Sequence, residues 1–346
     1  MSIEIRRADE SDIEGWNSHV SRSHQGTVFH RFEALGVLAD HADATVHPLM
    51  GFKGQEPVGI FPLFEMKKGP VRMAFSPPPN MRVSYLGPAM LNLSKLKQRK
   101  RDRRRKRFIE ECLEWLTDEV NPKYAHTRMH GGYEDVRPFK WNDWSVDPSY
   151  TYVVDLDTDA ESLLMRFSSD GRSNIRNADE DSYTIEVGKQ RAIELIVEQV
   201  RNRYESQGIS YGLTADFVTD LYEALPDGSL KPYVFRVDDE FVGGMLVPDS
   251  GETVSRWQGG VRTDTDIDLP VNDLLDWRVM QDGIDGGRSA YDLVGAEDER
   301  INEYKAKFNP QLQTYYSATH SEAGMSVLAS MYQRFRGQNP LLAIKK

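Results

Sequence analysis

The stretch VNDLLDWRVMQDGIDGGRSAYDLVG, residues 271–295, decides the fold class. Residues 271–285 predict a crossover helix, and SAYDLVG at 289–295 has the apolar pattern of a buried strand. A further strand candidate, ETVSRWQGG at 252–260, precedes this helix. Because a helix that links two strands of one sheet usually joins parallel neighbours, we expect one parallel pair beside an otherwise antiparallel sheet.

Outward from this unit, the second half of the chain mixes helices and strands. A long helix at 191–207 carries apolar residues at helical spacing, and a short Asp-rich turn joins strands at 230–238 and 240–248. The remaining predicted elements of this half are strands at 151–157, 183–188 and 311–319 and helices at 161–167, 172–181, 215–224 and 326–335.

The first half repeats this pattern less clearly. We expect strands at 3–8, 45–53, 57–65, 71–76, 82–87 and 124–130, with helices ending near residue 19 and spanning 31–39 and 107–120. The Trp-rich linker PFKWNDWSVDPS at 138–149 separates the halves. The sequence therefore predicts an α+β protein with two tandem domains, 1–145 and 146–346. Each is expected to hold a mostly antiparallel sheet with one parallel strand pair, flanked by helices.

Composition limits the class of protein. Of the 346 residues, 39% are hydrophobic and 28% charged, which is typical of a folded globular chain. No apolar run approaches the roughly 20 residues that span a bilayer, and the N-terminus lacks an apolar secretory core. One cysteine, Cys112, excludes an internal disulfide, and its apolar neighbours predict a buried, inert thiol. We therefore predict a cytoplasmic protein.

Charge is distributed unevenly along the chain. Residues 95–107, KLKQRKRDRRRKR, hold ten cations and one acid, which gives a local charge of +9. Because the net charge of the whole chain is −11, the other residues together carry −20. The acidic remainder suggests adaptation to high salt, with an ordinary acidic enzyme as the alternative. The basic run is either a helix extension or a mobile loop. The basic run predicts contact with tRNA or with an anionic lipid surface, which would place the protein peripherally at the inner membrane face. The alternative is that the run is only solvated charge.

Several segments together resemble one protein family. They are SYLGPAM at 84–90, RSNIRNADED at 172–181, RWQGG at 256–260, most of the opening stretch, and YKAKF at 304–308. Their order and spacing resemble FemAB-like and BioF2-like acyltransferases of the GNAT superfamily, which carry two GNAT-type domains in tandem. The segment YKAKF is similar to the family's aromatic-Lys-x-x-Phe segment and places Lys305 on its lysine.

The resemblance implies an acyltransferase, covering N-acetyl, acyl or aminoacyl transfer. An activated acyl group would pass to an amine or hydroxyl of an anionic acceptor, either a small molecule or a glycan- or lipid-linked compound. The donor stays open between acetyl-CoA or another acyl-CoA and aminoacyl-tRNA. The loop VRTDTDIDLP at 261–270 lies where a CoA-binding relative would carry a glycine-rich loop that holds the pyrophosphate of the donor. This loop has no glycine, and its acids would repel a pyrophosphate. The alternative is a catalytically inactive GNAT-fold binding module that reaches anionic lipid or nucleic acid through residues 95–107.

Two residues are predicted to be catalytic. Lys305 could stabilise the oxyanion that develops during acyl transfer or bind a substrate phosphate. The alternative without a function is a surface lysine packed on an aromatic ring. Asp292 follows a buried tyrosine in its strand and could orient or deprotonate the nucleophile, or serve as a structural cap. Lys307 is expected to face solvent.

Five residues are predicted to bind substrates. Arg172 and Arg176 share a helical face and form an anion clamp, or else pair with neighbouring acids. Trp257 and, across the gap, Tyr291 would line the space where GNAT strands splay and the donor enters, or else they pack in the core, which is the expected role of Tyr291 more than of Trp257. Tyr211 and Tyr85 are candidates for the acceptor site. The histidines do not form a metal-binding pattern, so we expect no metal.

Overall fold

The computed structural model describes residues 2–262 and 267–322. The chain divides into two compact units. The first runs from the N-terminus to Ser149 and includes the segment that starts at Thr314; the second is Tyr150–Gln313. The division into domains 1–145 and 146–346 stays a prediction. The predicted helix at 326–335 lies outside the described residues.

Helices and strands are numbered in chain order. The strands are β1 (Glu4–Arg7), β2 (Thr45–Lys53), β3 (Glu56–Lys68), β4 (Val71–Ser76), β5 (Ala89–Met90), β6 (Tyr124–Arg128), β7 (Ser145–Asp155), β8 (Thr184–Val187), β9 (Leu230–Val237), β10 (Glu240–Pro248), β11 (Thr253–Ser255), β12 (Gln258–Val261), β13 (Ala290–Asp292) and β14 (Gln311–Ser321). The α-helices are α1 (Ile13–Arg22), α2 (Phe32–Ala42), α3 (Gln98–Trp115), α4 (Arg137–Trp141), α5 (Ala160–Arg166), α6 (Ser169–Arg176), α7 (Gln190–Glu205), α8 (Ala215–Ala224), α9 (Val271–Asp285) and α10 (Glu299–Ala306).

The sheet of the first unit has the strand order β1-β2-β3-β4-β6-β14, and β5 pairs with β3. All of these pairs are antiparallel except β4 with β6, which are parallel and are connected through α3. The predicted strand at 82–87 is wrong: Arg82 has a left-handed φ of 55°, and only Leu86 forms a bridge, to Met129. The mostly antiparallel sheet with one parallel pair is confirmed.

Helix α3 packs its apolar face on this sheet. The Phe108 ring lies over Gly51 and Gly59, where an added Cβ would approach it to within 3 Å. Cys112 is buried on the same face, and burial raises the pKa of its thiol well above the ordinary value, as the predicted inert thiol requires. The helix starts at Gln98, nine residues before the predicted start, because arginine and lysine favour helix and buried Arg104 pairs with a sheet residue. The basic run is therefore mostly helical.

The second unit contains two groups of strands. One group is antiparallel, with the order β12-β10-β9-β8, and the other places β13 between β7 and β11. Strands β11 and β13 are parallel and are connected through α9, which confirms the strand–helix–strand prediction. The core includes Phe235, Met245, Leu275 and Phe308. Within the described ranges, no helix has both the length and the apolar character required to cross a membrane.

Candidate active site

One predicted strand of the second unit is divided between the two groups of strands. The prediction of a single strand over 252–260 is wrong, because β11 and β12 are separate and pair with different neighbours. Between them, the Arg256 amide donates to Asp292 O at 2.8 Å, whereas the Trp257 amide donates to Leu246 O at 3.1 Å. Consecutive amides thus bond to strands on opposite sides. Strand β11 thus pairs with β13, whereas β12 pairs with β10.

A buried polar cluster lies where the strand divides. Asp276 of α9 is fully buried, and both of its carboxylate oxygens accept hydrogen bonds. Oδ1 accepts from Arg256 Nε at 3.1 Å and from the Tyr291 hydroxyl at 2.5 Å, and Oδ2 accepts from the Tyr304 hydroxyl. The Arg256 guanidinium also lies 5.9 Å from the centroid of the Tyr304 ring. Strand β13, the link between β11 and β12, and helices α9 and α10 are therefore joined at one carboxylate.

The cluster fixes the ionisation of its members. Burial, followed by the nearby Asp276 charge, raises the pKa of Tyr291 and Tyr304 well above the ordinary value, so both remain hydrogen-bond donors. Burial alone would lower the pKa of Arg256, but Asp276 and the two tyrosines outweigh this effect and raise it. Because the guanidinium stays charged, the cluster holds a buried ion pair between Arg256 and Asp276 beside the point where the predicted strand divides.

Lys305 is buried at the end of α10. Its Nζ donates to Val294 O at 2.8 Å and to Gly295 O at 2.6 Å, the carbonyls of the segment just past β13. Burial and then the Arg256 charge lower the pKa of Lys305 to about 8, although the carboxylates of Asp292 and other acids oppose this shift. At neutral pH the ammonium is thus mostly protonated and closer to releasing its proton than an ordinary lysine.

The loop that Lys305 contacts is held from its other side by Asp292. The Asp292 Oδ1 atom accepts from the Thr151 hydroxyl at 2.6 Å and from the Val294 amide at 2.8 Å, and the Gly295 amide donates to Thr151 Oγ1 at 3.0 Å. Val294 has a left-handed φ of 50°, which is strained for a β-branched residue. The structure thus brings Lys305 and Asp292 to the same short, strained loop.

Lys307 does not face solvent as predicted. Its Nζ lies 3.3 Å from Asp273 Oδ2 and 5.4 Å from the centroid of the Tyr304 ring. Asp273 is buried in the first turn of α9 and also accepts from Asn174 of α6. The expectation failed because Lys307 follows the last turn of a helix that packs against α9, which no spacing rule within YKAKF reveals.

Arg172 and Arg176 both contact α5. Arg172 Nη1 donates to Phe167 O at 2.5 Å and to Met165 O at 3.3 Å, the carbonyls at the end of that helix. Arg176 forms an ion pair with Glu161 rather than with the acids that follow it in sequence. Both side chains are at least partly exposed. Their role as an anion clamp stays a prediction, and Glu161 would compete with a ligand for Arg176.

Trp257 and Tyr211 lie on the β12 side of the division. Trp257 is buried and meets the Phe217 ring edge-on, with 6.3 Å between centroids. The Tyr211 hydroxyl donates to Gln258 Oε1 at 2.8 Å, and its ring stacks on Tyr204 with 5.0 Å between centroids. Gln258 directly follows Trp257, so both aromatic residues meet the chain where β12 begins. Their contact with a substrate stays a prediction.

Tyr85 belongs to the first unit. It is buried, and its ring packs edge-on against His130 and Tyr315, with centroid distances of 5.5 and 5.0 Å. A cavity of about 750 Å³ in the same unit has other lining residues, among them Glu110, Glu114, Asp118, Trp144 and His320. A role for Tyr85 at an acceptor site stays a prediction.

Three residues of the polar cluster were missed from the sequence as site residues. Arg256 and Tyr304 stood inside segments quoted for the family resemblance, RWQGG and YKAKF. Asp276 interrupts the apolar run Leu274-Leu275-Asp276-Trp277 of α9, and an acid at such a position requires a buried partner. That signal could have indicated the cluster, but the sequence does not show which cation pairs with Asp276.

Comparison with known proteins identifies the class of the second unit. Residues 166–306 match the family model described as an acetyltransferase (GNAT) domain. This range contains α6, both parts of the divided strand, the Asp276 cluster and Lys305. This part of the chain is therefore similar to a GNAT acetyltransferase domain. No curated protein matches the sequence by direct comparison.

Solved structures extend the likeness over the whole chain. FemX has a TM-score of 0.72 at 11% identity, over 90% of this chain and 96% of its own. The C-terminal domain of an Agrobacterium fabrum protein named as a lysylphosphatidylglycerol synthetase has a TM-score of 0.55 at 14% identity, over 94% and 98%. A tandem GNAT protein from the clavulanic acid pathway has 0.53 at 10%, over 92% and 98%. The fold is therefore the FemAB-like GNAT fold that the sequence predicted.

Proposed function

We propose that this protein transfers an activated acyl or aminoacyl group to an amine or hydroxyl of an anionic acceptor, with the chemistry in the second unit. The observation that carries the proposal is the position of Lys305. Its buried ammonium lies beside the loop where strands β12 and β13 part, within the GNAT-type domain. A gap between diverging strands can admit an extended acyl donor, and the ammonium supplies positive charge where the acyl carbonyl would lie.

Lys305 would act on the oxygen of the reacting carbonyl. An ammonium has three N–H donors, and two of them hold the carbonyls of Val294 and Gly295. When the acceptor amine or hydroxyl attacks, negative charge develops on the acyl oxygen, and the third N–H can donate to it. The tetrahedral intermediate then collapses, the acyl group stays on the acceptor, and the donor's thiol or ribose hydroxyl leaves with the proton that the nucleophile lost.

The other predicted residues have supporting parts. Asp292 holds the loop through Thr151 and the Val294 amide, so we assign it first to positioning and only second to deprotonating the nucleophile. Arg172 and Arg176 would bind a phosphate or carboxylate of the acceptor. Trp257 and Tyr211 would line the donor side of the gap. Tyr85 would belong to the acceptor site.

The structural neighbours guide the choice of substrates. One neighbour is named for the synthesis of lysylphosphatidylglycerol, an aminoacylated lipid, and FemX has the highest similarity among the three compared. We therefore propose a lipid- or glycan-linked acceptor ahead of a free small molecule. Aminoacyl-tRNA and acyl-CoA, including acetyl-CoA, are both proposed donors. Asp264 and Asp266 of the acidic loop lie outside the described residues. The BioF2-like assignment and a cytoplasmic location at the inner membrane face are parts of the same proposal.

The proposal is tested by a transfer assay with Lys305→Met. Wild-type protein is incubated with acetyl-CoA, a long-chain acyl-CoA or aminoacyl-tRNA, together with phosphatidylglycerol, lipid-linked glycan and small amines as acceptors. With the productive pair, Lys305→Met should lower kcat by about 10²–10³-fold, as loss of one oxyanion donor does elsewhere. Lys231→Met is the matched control, because Lys231 is a partly buried lysine of the same unit that pairs with Asp249.

A binding module without chemistry is the second candidate. It is favoured by the engagement of Lys305, Arg172 and Arg176 with groups of the chain itself. A thermal-shift screen with the same donors separates the two candidates. Stabilisation by a donor together with transfer supports the enzyme, whereas absence of both with every donor and acceptor supports the module. Equal turnover by wild type and Lys305→Met would remove Lys305 from the mechanism.

A further inference from the structure

An exposed tryptophan lies against the basic helix of the first unit. Trp141 ends the short helix α4 and is 52% exposed, while the other five tryptophans are buried or partly buried. Trp141 lies 34 residues after Arg107, the end of the basic run. The run itself contains no aromatic residue. Only the fold brings the indole to these cations.

Cations surround the indole ring. Lys106 Nζ lies 5.9 Å from the centroid of Trp141, and the Arg137 guanidinium lies 5.5 Å from it. On α3, Arg99 and Arg103 precede Lys106 by seven and three residues, which places all three on one helical face. Arg99, Arg103 and Lys106 are all exposed. We define the docking surface by these residues and the adjacent lysine: Arg99, Arg103, Lys106, Arg137, Lys140 and Trp141.

Three acids next to this surface pair with its cations. Asp102 contacts Arg137 at 3.2 Å, Glu110 contacts Lys106 at 3.3 Å, and Asp135 also pairs with Arg137. Residues 95–107 nevertheless keep a net charge of +9. The helix is anchored beneath by buried Arg104, which pairs with Glu56. The surface is therefore cationic, held in place and open to solvent.

We propose that the docking surface binds an anionic phospholipid bilayer, with the Trp141 indole at the level of the headgroups. Lysine and arginine near an anionic leaflet are attracted to its phosphates, and tryptophan is enriched at the membrane–water interface. The rest of the chain carries −20 and is on balance repelled by such a surface, so the docking surface is favoured over the acidic remainder for this contact. The inference concerns recruitment and holds whether or not the proposed acyl transfer does.

The composition of the surface favours lipid over RNA. Sites for single-stranded nucleic acid combine a positive groove with a series of aromatic residues on which successive bases stack. Here the cations project from one face of a helix, and a single exposed indole accompanies them. A helix with lysine and arginine beside one aromatic anchor matches the pattern of proteins that lie on a membrane interface.

The test uses the full chain and two kinds of lipid vesicle. Wild type should co-sediment with vesicles of phosphatidylcholine mixed with phosphatidylglycerol and not with phosphatidylcholine alone, and high salt should release it. Arg99→Glu with Arg103→Glu should weaken this binding about tenfold or more. The control pair Arg191→Glu with Arg201→Glu changes net charge equally at exposed positions of α7 and should leave binding unchanged.

Trp141 is tested separately. The phosphatidylglycerol vesicles should shift tryptophan emission of wild type to shorter wavelength, and Trp141→Phe should remove this shift. Trp141→Ala should weaken sedimentation, whereas Leu312→Ala, which truncates an equally exposed apolar residue, should not. Equal vesicle binding by the Arg99/Arg103 variant and wild type would overturn the proposal. So would binding of tRNA without binding of either vesicle.

Discussion

At the scale of single residues, the proposed chemistry of the second unit depends on how Lys305 is held. Burial and the neighbouring Arg256 charge disfavour its ammonium, while two backbone carbonyls and nearby carboxylates favour it. The balance lowers the pKa to about 8, close to the operating range of most enzymes. Arg256 in turn is kept charged by Asp276, so its effect on the pKa of Lys305 persists.

This balance predicts the pH dependence of transfer. If the protonated ammonium stabilises the oxyanion, kcat should fall as the pH rises through about 8, because Lys305 then loses its proton. The measurement is a pH–rate profile of the productive donor and acceptor pair. The residual activity of Lys305→Met should not show this fall, and a wild-type profile that stays flat through the same range would contradict the role.

Stability gives an independent check on the same pKa. In the unfolded chain, Lys305 has a pKa of about 10.4. Between pH of about 8 and that value, the unfolded state therefore binds more protons than the folded state. The Lys305 contribution to the free energy of unfolding therefore becomes more favourable as pH rises through this window. The difference between wild type and Lys305→Met in urea titrations should change in that direction.

At the scale of elements, the division of one strand between two neighbours creates the candidate site. The second part of the divided strand, β12, lies so close to β10 that only glycine fits at position 259. Gly259 has a φ of 145°, and an added Cβ would lie 2.3 Å from Gly244 O and 2.5 Å from Met245 Cα. The pairing of β12 with β10 thus depends on a backbone conformation and a close approach that an L side chain cannot accept.

Gly259→Ala should therefore loosen β12 and lower the free energy of unfolding by about 2–3 kcal/mol, measured by urea denaturation. Gly15→Ala in α1 is the matched control. It adds the same methyl at an exposed helical position with no atom within 4 Å, and should raise stability by about 0.5–1 kcal/mol. A Gly259 variant as stable as wild type would show that β12 can rearrange.

Much of this element pattern could be predicted from local sequence. The opening stretch indicated α9 and the parallel pair, because helical and strand periodicities are properties of neighbouring residues. The division after Arg256 could not be predicted, since nothing in ETVSRWQGG shows that successive amides bond to different strands. For the same reason Lys305 could be selected through a family resemblance, whereas its carbonyl partners at Val294 and Gly295 required the fold.

At the scale of the whole molecule, each unit repeats a mostly antiparallel sheet with one parallel pair, as the fold of tandem GNAT proteins predicts. The residues of the acetyltransferase model and the buried cluster lie in the second unit, and the docking surface lies in the first. We infer a division of labour: the second unit carries the chemistry, and the first brings the protein to an anionic surface where a lipid-linked acceptor would be found.

The central claim is that the acyl donor enters where β12 and β13 diverge. Hydrogen–deuterium exchange with and without the productive donor tests it most directly. The account predicts slower exchange at residues 256–261 and 293–296, and unchanged exchange in α1 of the first unit. Slower exchange elsewhere, with residues 256–261 and 293–296 unaffected while transfer proceeds, would contradict it.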